Sequence, residues 1–329
     1  MNNLNGLINN NLNLNTKKYT LIIGETPSRG ARSPKLWNKV YKKNRENLKM
    51  YPADISQGNL KKIINYLKKD NFFLGAAVTT PYKELSLKYI DEVSKEAQQI
   101  GSVNTLRKKN NKIIGYNTDY FGFIETLEKF KFKKNILIFG CGGAGKAVLI
   151  ACKNYFSSSS FFLINRNKTN LKKFLKKSKF KNFKIIKHDS IENLKNIDLV
   201  INTTSIGFDS WLYRKKYYFN LSFFTPMIDI KSIKGVKEKD NKKFILKNKK
   251  LIEEDTKIYN KFLKNNKNCE IIDIIYNPLQ TKLLKIGRQK KHRVVNGLIM
   301  NLFQAVKAYS IVNNDKNIKR IKKIMSSNG

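Results

Sequence analysis

The sequence has few of the side chains that bind metals or form disulfides. Its 329 residues include three cysteines, Cys141, Cys152 and Cys269, and two histidines, His188 and His292. They are too few and too widely spaced for a zinc site or a disulfide framework, so we expect no metal. Unpaired cysteines are typical of a reducing compartment, and we predict a cytoplasmic location.

Long apolar runs are also missing. No window holds 18 consecutive apolar residues, so the sequence predicts no membrane-spanning helix and no membrane partner. The Asn-rich start, MNNLNGLINNNLNLNTKK, lacks the basic segment and apolar run of a signal peptide, and we expect it to be a loose extension. The hydrophobic fraction of 41% is nevertheless enough to form a globular core.

Acidic residues are scarce, with 24 against 66 basic residues and a formal net charge of +42. Such an excess can indicate a nucleic-acid partner. The lysines, however, are scattered over nearly every segment together with many Asn, Ile and Phe residues, a composition typical of AT-rich coding sequences. No base-reading motif accompanies them, so we predict no specific nucleic-acid partner. A nucleotide- or RNA-binding protein without catalysis is the outside alternative.

Alternating strand and helix patterns predict an α/β fold with mostly parallel strands. In the first part we expect strands over 19–24, 48–55 and 72–79, and helices after Pro34, over 59–70 and over 82–93. The pattern restarts with the strand NILIFG at 135–140, and further strands are predicted in the segments 160–166, 183–189, 198–207 and 269–278. This succession resembles a doubly wound, Rossmann-like domain. The weakly periodic stretch 209–268 is interpreted as an insertion on a loop face, and 296–312 as a packing helix.

The stretch GCGGAGKA, residues 140–147, matches two phosphate-binding patterns. Gly140, Gly142 and Gly145 form G-x-G-x-x-G between a predicted strand and a predicted helix, where backbone N–H groups bind a pyrophosphate. The stretch also resembles a P-loop, but a P-loop needs Ser or Thr where this chain has Ala147, to bind magnesium. We therefore favour dinucleotide binding over a kinase or ATPase. A glycine turn that serves only strand and helix packing is the other alternative.

The residues after the second strand of this domain favour NADP. NAD sites usually have Asp or Glu there, whereas a 2′-phosphate needs a cation. Here Arg166 ends the strand, Lys168 follows, and the first acidic residue after Arg166 is Asp189. A guanidinium group can lie against adenine and bind the phosphate. We predict NADP, with a surface cation as the alternative role of Arg166.

Lys83 and Asp119 are candidates for proton transfer. Lys83 follows AAVTTPY, in which Pro81 ends a strand, and Asp119 lies in GYNTDYFG. The carboxyl ends of strands face the cleft in open α/β sheets. A lysine and an aspartate at adjacent strand ends could share a proton with a substrate hydroxyl. A solvated charge is the alternative role of Lys83 in this lysine-rich chain.

In their order, these segments resemble the shikimate dehydrogenase family. The resemblance covers about residues 20–310 outside the stretch 209–268, and its motifs here are AVTTPYK, GSVNT, NTDY, GCGGA, NR at 165, NTTSIG, YNPLQTKLL and GLIMNLFQA. It implies hydride transfer between NADPH and the ring ketone 3-dehydroshikimate, in aromatic amino acid and chorismate biosynthesis. It also implies a substrate domain of residues 1–119 and 293–329, an NADP-binding domain of residues 120–292, and a cleft between them. We expect a monomer or a homodimer.

The resemblance also implies roles for individual residues. Lys83 and Asp119 match the catalytic pair. Matching substrate contacts are Thr79, Asn104, Tyr276 and Gln304, to which we add Ser33 and Arg32. Matching cofactor positions are Gly140, Gly142, Gly143, Asn165, Arg166 and Gly297, to which we add Ala144, Lys168 and Thr204.

The substrate half departs from the family pattern. Ala31 replaces the first of two serines that bind the substrate carboxylate, Ala77 replaces an asparagine, and Tyr120 replaces a glycine. Each lost hydrogen bond to substrate should cost about 1–3 kcal/mol. Either Arg29 or Arg32 binds the carboxylate instead, or the substrate is another cyclic polyol or hydroxy acid, such as quinate.

Overall fold

The computed structural model describes Leu4 and residues 6–327. Contacts divide the chain into a first unit, Met1–Thr126 with Met300–Gly329, and a second unit, Leu127–Ile299. Both borders fall later in the chain than those of the predicted domains, so the division of function between the units stays a prediction. Among the described residues, no helix has the length and apolar character needed to cross a membrane.

The elements confirm a mixed α/β fold. The strands are β1 (Lys18–Gly24), β2 (Leu48–Asp54), β3 (Phe73–Val78), β4 (Glu92–Val93), β5 (Thr105–Lys109), β6 (Lys112–Tyr116), β7 (Asn135–Phe139), β8 (Ser160–Ile164), β9 (Phe183–Ile185), β10 (Leu199–Asn202), β11 (Trp211–Arg214), β12 (Tyr217–Asn220), β13 (Glu270–Asp273) and β14 (Val294–Val295). The helices are α1 (Ser33–Lys43), α2 (Leu60–Lys69), α3 (Lys95–Ile100), α4 (Asp119–Leu127), α5 (Gly143–Tyr155), α6 (Lys168–Lys177), α7 (Asn241–Asn265), α8 (Lys282–Gln289), α9 (Leu298–Asn313) and α10 (Ile318–Ser326).

The first unit contains a mixed sheet in the order β2-β1-β3-β5-β6-β4. Strands β1, β2 and β3 are parallel, as predicted, whereas β5 runs antiparallel to both β3 and β6. Both faces of the sheet are covered. Along β1, Leu21 and Ile23 point into one core cluster and Ile22 into the other, where Trp37 of α1 and Tyr309 of α9 pack. This alternation follows from the two-residue period of a strand.

Our prediction of a helix over residues 82–93 is wrong. The structure has a turn, a short 3-10 helix at Leu85–Lys88, and then β4, which pairs with β6. The carboxylate of Asp91 accepts hydrogen bonds from Ile113 N at 2.8 Å and from Lys68 Nζ at 2.8 Å. These partners are distant in sequence, and they hold the segment against the sheet edge instead of in a helix.

The N-terminal segment is not a loose extension, contrary to our expectation. Its apolar residues Leu4, Ile8 and Leu12 are buried in the core of the first unit. The Asn10 side chain accepts a hydrogen bond from Asp54 N at 2.7 Å and donates one to Pro52 O at 3.1 Å. Because β2 is the edge strand of the sheet, these bonds satisfy backbone groups that would otherwise be unpaired.

The second unit contains the predicted doubly wound sheet. Its order is β14-β13-β10-β7-β8-β9, and every neighbouring pair is parallel. Counted from β7, this is the strand order 3-2-1-4-5-6 of a Rossmann domain. The order reverses between β7 and β10, so the loops after these two strands flank the position where such sheets bind their ligands.

The stretch 209–268 is more than an insertion on a loop face. It forms the β11–β12 hairpin and then the 25-residue helix α7. Tyr259, Phe262 and Leu263 of α7 are buried in the core of the second unit. Because β10 and β13 are parallel, the chain must cross over between them, and α7 provides that crossover.

Candidate active site

Lys83 and Asp119 form an ion pair in the first unit. Lys83 lies in the turn after β3, and Asp119 is the first residue of α4. Lys83 Nζ donates to Asp119 Oδ2 at 2.5 Å, and the two side chains are 18% and 7% exposed. The structure thus brings the two candidate catalytic groups together, and the Lys83 side chain is partly exposed to solvent.

Asn104 fixes the other oxygen of the aspartate. Its Nδ2 donates to Asp119 Oδ1 at 2.9 Å. Its Oδ1 accepts from Thr118 N at 2.7 Å and from the hydroxyls of Thr118 and Thr105, both at 3.1 Å. Because three donors surround Oδ1, the amide can present only its NH2 group to Asp119. The carboxylate is therefore held from both sides.

Gln304 and Arg32 lie on the same network. Gln304 Oε1 accepts from Asn104 Nδ2 at 3.4 Å, and Gln304 Nε2 donates to Asn301 O at 3.0 Å. Arg32 Nη1 donates to Asn301 Oδ1 at 2.9 Å. Asn301 was not predicted as a site residue. It joins a position before α1 to the first turn of α9, and no local sequence signal indicates this contact.

No hydrogen bond between described residues joins Thr79 or Ser33, two other predicted substrate contacts, to the network of Lys83, Asp119 and Asn104. Thr79 follows β3, and a methyl group added to Gly24 would lie 2.4 Å from Thr79 Cγ2, so these strand ends are in close contact. Ser33 is 8% exposed, and its hydroxyl makes no hydrogen bond to the described residues. Ala77 is buried in the core. Tyr276 belongs to the second unit, where it follows β13.

In the second unit, the glycine loop connects β7 to α5. Gly140 has φ +92°, a conformation that favours glycine. Methyl groups added to Gly140 and Gly145 would lie 2.7 and 2.6 Å from Thr203 Oγ1, whereas one added to Gly142 would meet nothing within 4 Å. Gly142 is the N-cap of α5, so Gly143 and Ala144 lie in its first turn. The loop therefore has open space beside a helix N-terminus, which suits a pyrophosphate.

The cationic residues follow β8. Asn165 Nδ2 donates to Asn167 O at 2.9 Å, and Asn167 caps α6, whose first residue is Lys168. Arg166 is exposed between them. His188, which we did not predict as a site residue, follows the adjacent strand β9. The pKa of His188 is lowered, mainly by burial and also by Lys168, although the carboxylates of Asp229 and Asp189 raise it.

Thr204 and Gly297 also lie next to strand ends of this sheet. The Thr204 hydroxyl donates to Asn202 Oδ1 at 2.7 Å. A methyl group added to Gly297 would lie 1.9 Å from Ile274 O, so only glycine fits there without a backbone shift. Among the described residues, no group of three or more His, Cys, Asp or Glu side chains could hold a metal ion.

These features define a class. A parallel sheet with the Rossmann strand order and a glycine loop at its switch point is that of a dinucleotide-binding α/β protein, and the separate unit contains a lysine–aspartate pair suited to proton transfer.

Comparisons with known proteins narrow this class. A sequence model of the shikimate dehydrogenase substrate binding domain matches residues 22–106. The chain is 30% identical over 285 residues to the shikimate dehydrogenase (NADP(+)) of Clostridium botulinum (strain 657 / Type Ba4), covering 85% of this chain and 91% of the relative. It is 31% identical over 299 residues to the shikimate dehydrogenase (NADP(+)) of Methanosphaera stadtmanae, covering 89% of this chain and 90% of the relative.

Solved structures agree. The shikimate dehydrogenase of Aquifex aeolicus has a TM-score of 0.68 at 26% identity, covering 96% of this chain and 100% of the other. A shikimate dehydrogenase in complex with NADP+ has a TM-score of 0.68 at 27% identity, covering 96% of each chain. The chain belongs to the shikimate dehydrogenase family.

Proposed function

We propose that this protein is an NADP-dependent shikimate dehydrogenase, an oxidoreductase that acts on a CH–OH group and interconverts 3-dehydroshikimate and shikimate. Two relatives that are 30% and 31% identical over most of the chain are named shikimate dehydrogenase (NADP(+)). The observation that carries the proposal is the 2.5 Å contact between Lys83 Nζ and Asp119 Oδ2 in a unit of this fold.

The proposed chemistry divides between cofactor and protein. NADPH bound in the second unit would supply the hydride for the carbonyl carbon of 3-dehydroshikimate. Lys83 Nζ donates a hydrogen bond and then a proton to the carbonyl oxygen, so that the C=O group becomes CH–OH. Asp119, held by Asn104, keeps the ammonium group oriented and balances its charge. In the reverse direction Lys83 accepts the hydroxyl proton.

The second unit fits NADP. The space beside Gly142, at the N-terminus of α5, can take the pyrophosphate, and Arg166 with Lys168 can bind the 2′-phosphate. In the sequence, no Asp or Glu occurs between Arg166 and Asp189, where NAD sites usually have one. We propose that Asn165, Thr204 and Gly297 complete the cofactor site.

Arg32 is our candidate for the residue that replaces the lost serine hydroxyl. It precedes Ser33, and its bond to Asn301 joins it to the network of Asn104 and Asp119. A guanidinium–carboxylate pair is about twice as strong as a neutral hydrogen bond, so it compensates for Ala31. Arg29 is exposed and makes no side-chain hydrogen bond to the described residues, which makes Arg29→Ala a matched control.

Steady-state kinetics of the purified protein test this function. We expect NADP+-dependent oxidation of shikimate that is faster than oxidation with NAD+ or oxidation of quinate. In Arg32→Ala we expect the KM for shikimate to rise by roughly 10- to 100-fold, as for loss of a charge-assisted bond, with Arg29→Ala unchanged. Turnover of quinate but not shikimate would refute the substrate assignment. Thermal protection by RNA at low salt, without protection by NADPH, would support the non-catalytic alternative.

Two further properties are part of the proposal. A cytoplasmic location is supported by Cys152 and Cys269, two buried cysteines that form no disulfide with any described residue. We propose a monomer or a homodimer, which sedimentation at several concentrations would distinguish.

A further inference from the structure

A buried carboxylate lies at the carboxyl end of β13, in the second unit. Asp273 is 0% exposed, and no described Lys, Arg or His forms an ion pair with it. Its Oδ1 accepts from Asn202 Nδ2 at 3.1 Å and from Ile275 N at 3.0 Å, and its Oδ2 accepts from the Thr281 hydroxyl at 2.7 Å. An apolar side chain would avoid the cost of burying this carboxylate, so the hydrogen bonds deserve a functional explanation.

The first link from Asp273 fixes the orientation of Asn202. Asn202 Nδ2 donates both to Asp273 and to Ile206 O at 3.0 Å. Its Oδ1 must therefore face Thr204, whose backbone N donates to it at 3.0 Å and whose hydroxyl donates at 2.7 Å. The Thr204 hydroxyl also accepts from Ile206 N at 3.1 Å. These bonds define the orientation of the Asn202 amide and of the Thr204 hydroxyl.

The second link joins this loop to the glycine loop. A methyl group added to Gly140 would lie 3.0 Å from Thr204 Cγ2 and 2.7 Å from Thr203 Oγ1. The two loops follow β10 and β7, which flank the point where the strand order reverses. Thr203 and Thr204 therefore pack closely against Gly140, in the loop that we propose for pyrophosphate binding.

We propose that Asp273 is a positioning residue for the cofactor site, acting through Asn202 and Thr204 on the glycine loop. The inference rests on the proposed NADP-dependent function. It also specifies what position 273 must supply, namely a hydrogen-bond acceptor directed at Asn202 Nδ2. A carboxylate supplies it, and so does an amide whose oxygen faces Asn202, because its NH2 group can donate to the Thr281 hydroxyl.

Two variants of Asp273 test this relay. Asp273→Ala removes the acceptor, so Asn202 can turn over, and we expect the KM for NADPH and the Kd from NADPH fluorescence titration to rise roughly tenfold or more. The kcat at saturating NADPH should change little. Asp273→Asn keeps the acceptor and should remain within about threefold of the wild type. This rescue and the split between KM and kcat distinguish positioning from a merely structural role.

The opposite results overturn the inference. A folded Asp273→Ala protein with wild-type affinity for NADPH refutes it, as does an Asp273→Asn protein that loses as much affinity as Asp273→Ala. If Asp273→Ala does not fold, Asn202→Ala interrupts the same relay and must show the same rise in Kd, and an unchanged Kd refutes the relay. A wild-type protein that does not bind NADPH would instead refute the proposed function, and the inference with it.

Discussion

Replacing Lys83 by Met tests the proposed catalytic pair most directly. The substitution removes the ammonium group but retains an apolar stem of similar length. Asp119 keeps its hydrogen bond from Asn104 Nδ2 at 2.9 Å, so the carboxylate stays in place. General acid–base groups contribute about 10²- to 10⁴-fold to rate. We therefore expect kcat for shikimate oxidation to fall by a factor in this range, equivalent to about 3–5 kcal/mol.

The loss of stability in Lys83→Met should be smaller than the loss of rate. The two side chains are 18% and 7% exposed. Removing one partner of a fully buried pair costs about 3–5 kcal/mol, and exposed pairs contribute about 0–1 kcal/mol. We expect a decrease of about 1–3 kcal/mol in the free energy of unfolding, which leaves the protein folded under assay conditions.

The same unit offers a matched control. Lys68 Nζ and Asp91 Oδ1 form an ion pair at 2.8 Å, with side chains 22% and 30% exposed. Lys68→Met removes a comparable ion pair away from the proposed site, so its kcat should equal that of the wild type. Initial rates of NADP+ reduction and urea unfolding, measured on both variants, separate chemistry from stability. If Lys83→Met retained more than about a tenth of the wild-type kcat, the proton-transfer role would be refuted.

Three further predictions concern the second unit. In Arg166→Ala we expect the KM for NADPH to rise about 10- to 100-fold while that for NADH stays the same, because only NADPH has a 2′-phosphate. Gly297→Ala should lower the free energy of unfolding by more than about 2 kcal/mol in a urea titration, since its methyl group would lie 1.9 Å from a backbone carbonyl oxygen. Burial raises the pKa of Asp273 to about 7 from 3.8. The contribution of this carboxyl to stability is therefore complete below pH 3.8 and decreases as pH rises to about 7, by up to roughly 1.4 kcal/mol per pH unit.

Each of these predictions has a control. Lys172→Ala, on the exposed face of α6, should leave both cofactor KM values unchanged, and an equal effect would make Arg166 an ordinary surface cation. Gly58→Ala places a methyl group that meets nothing within 4 Å and should leave stability unchanged. For Asp273, the control is Asp273→Asn, which has no carboxyl group to titrate. Between pH 5 and pH 7 the free energy of unfolding of the wild type should decrease relative to that of Asp273→Asn. Burial, and after it the charges of Cys269 and Asp273, keeps the pKa of the Tyr259 phenol well above the ordinary value, so this phenol stays neutral. A pH-independent difference would contradict the buried titration.

The sequence predicts the parts of the fold that local patterns determine. β1 is a short apolar run that ends at Gly24, and β7 is one that is followed by Gly140; such runs are recognisable without knowledge of their neighbours. The segment 82–93 also contains regularly spaced apolar residues, which predict a helix. Its conformation depends instead on Lys68 and on the edge of β6, which lie elsewhere in the chain. In α7, the first half is lysine-rich and mostly exposed, with Phe244 and Asn248 buried, so the helical periodicity is weak over the whole stretch.

The candidate site divides in the same way. Lys83, Asp119 and the glycine loop lie in motifs whose residue types and spacing suggest chemistry. Asn301 and Asp273 do not, because their importance comes from hydrogen bonds to Arg32 and Asn202, residues far away in the sequence. Such roles become visible only when the packing between segments is known.

The N-terminal segment has a consequence for how the protein is made. The ribosome synthesises this segment before β2. Its residues Leu4, Ile8 and Leu12 pack in the same core cluster as Tyr51 and Ala53 of β2, and Asn10 bonds to the backbone of β2. When β2 leaves the ribosome, the residues that cover its outer side are already available. Once this segment has docked, Asn10 occupies backbone groups on the outer side of β2, which leaves less of that edge open to strand pairing with another nascent chain.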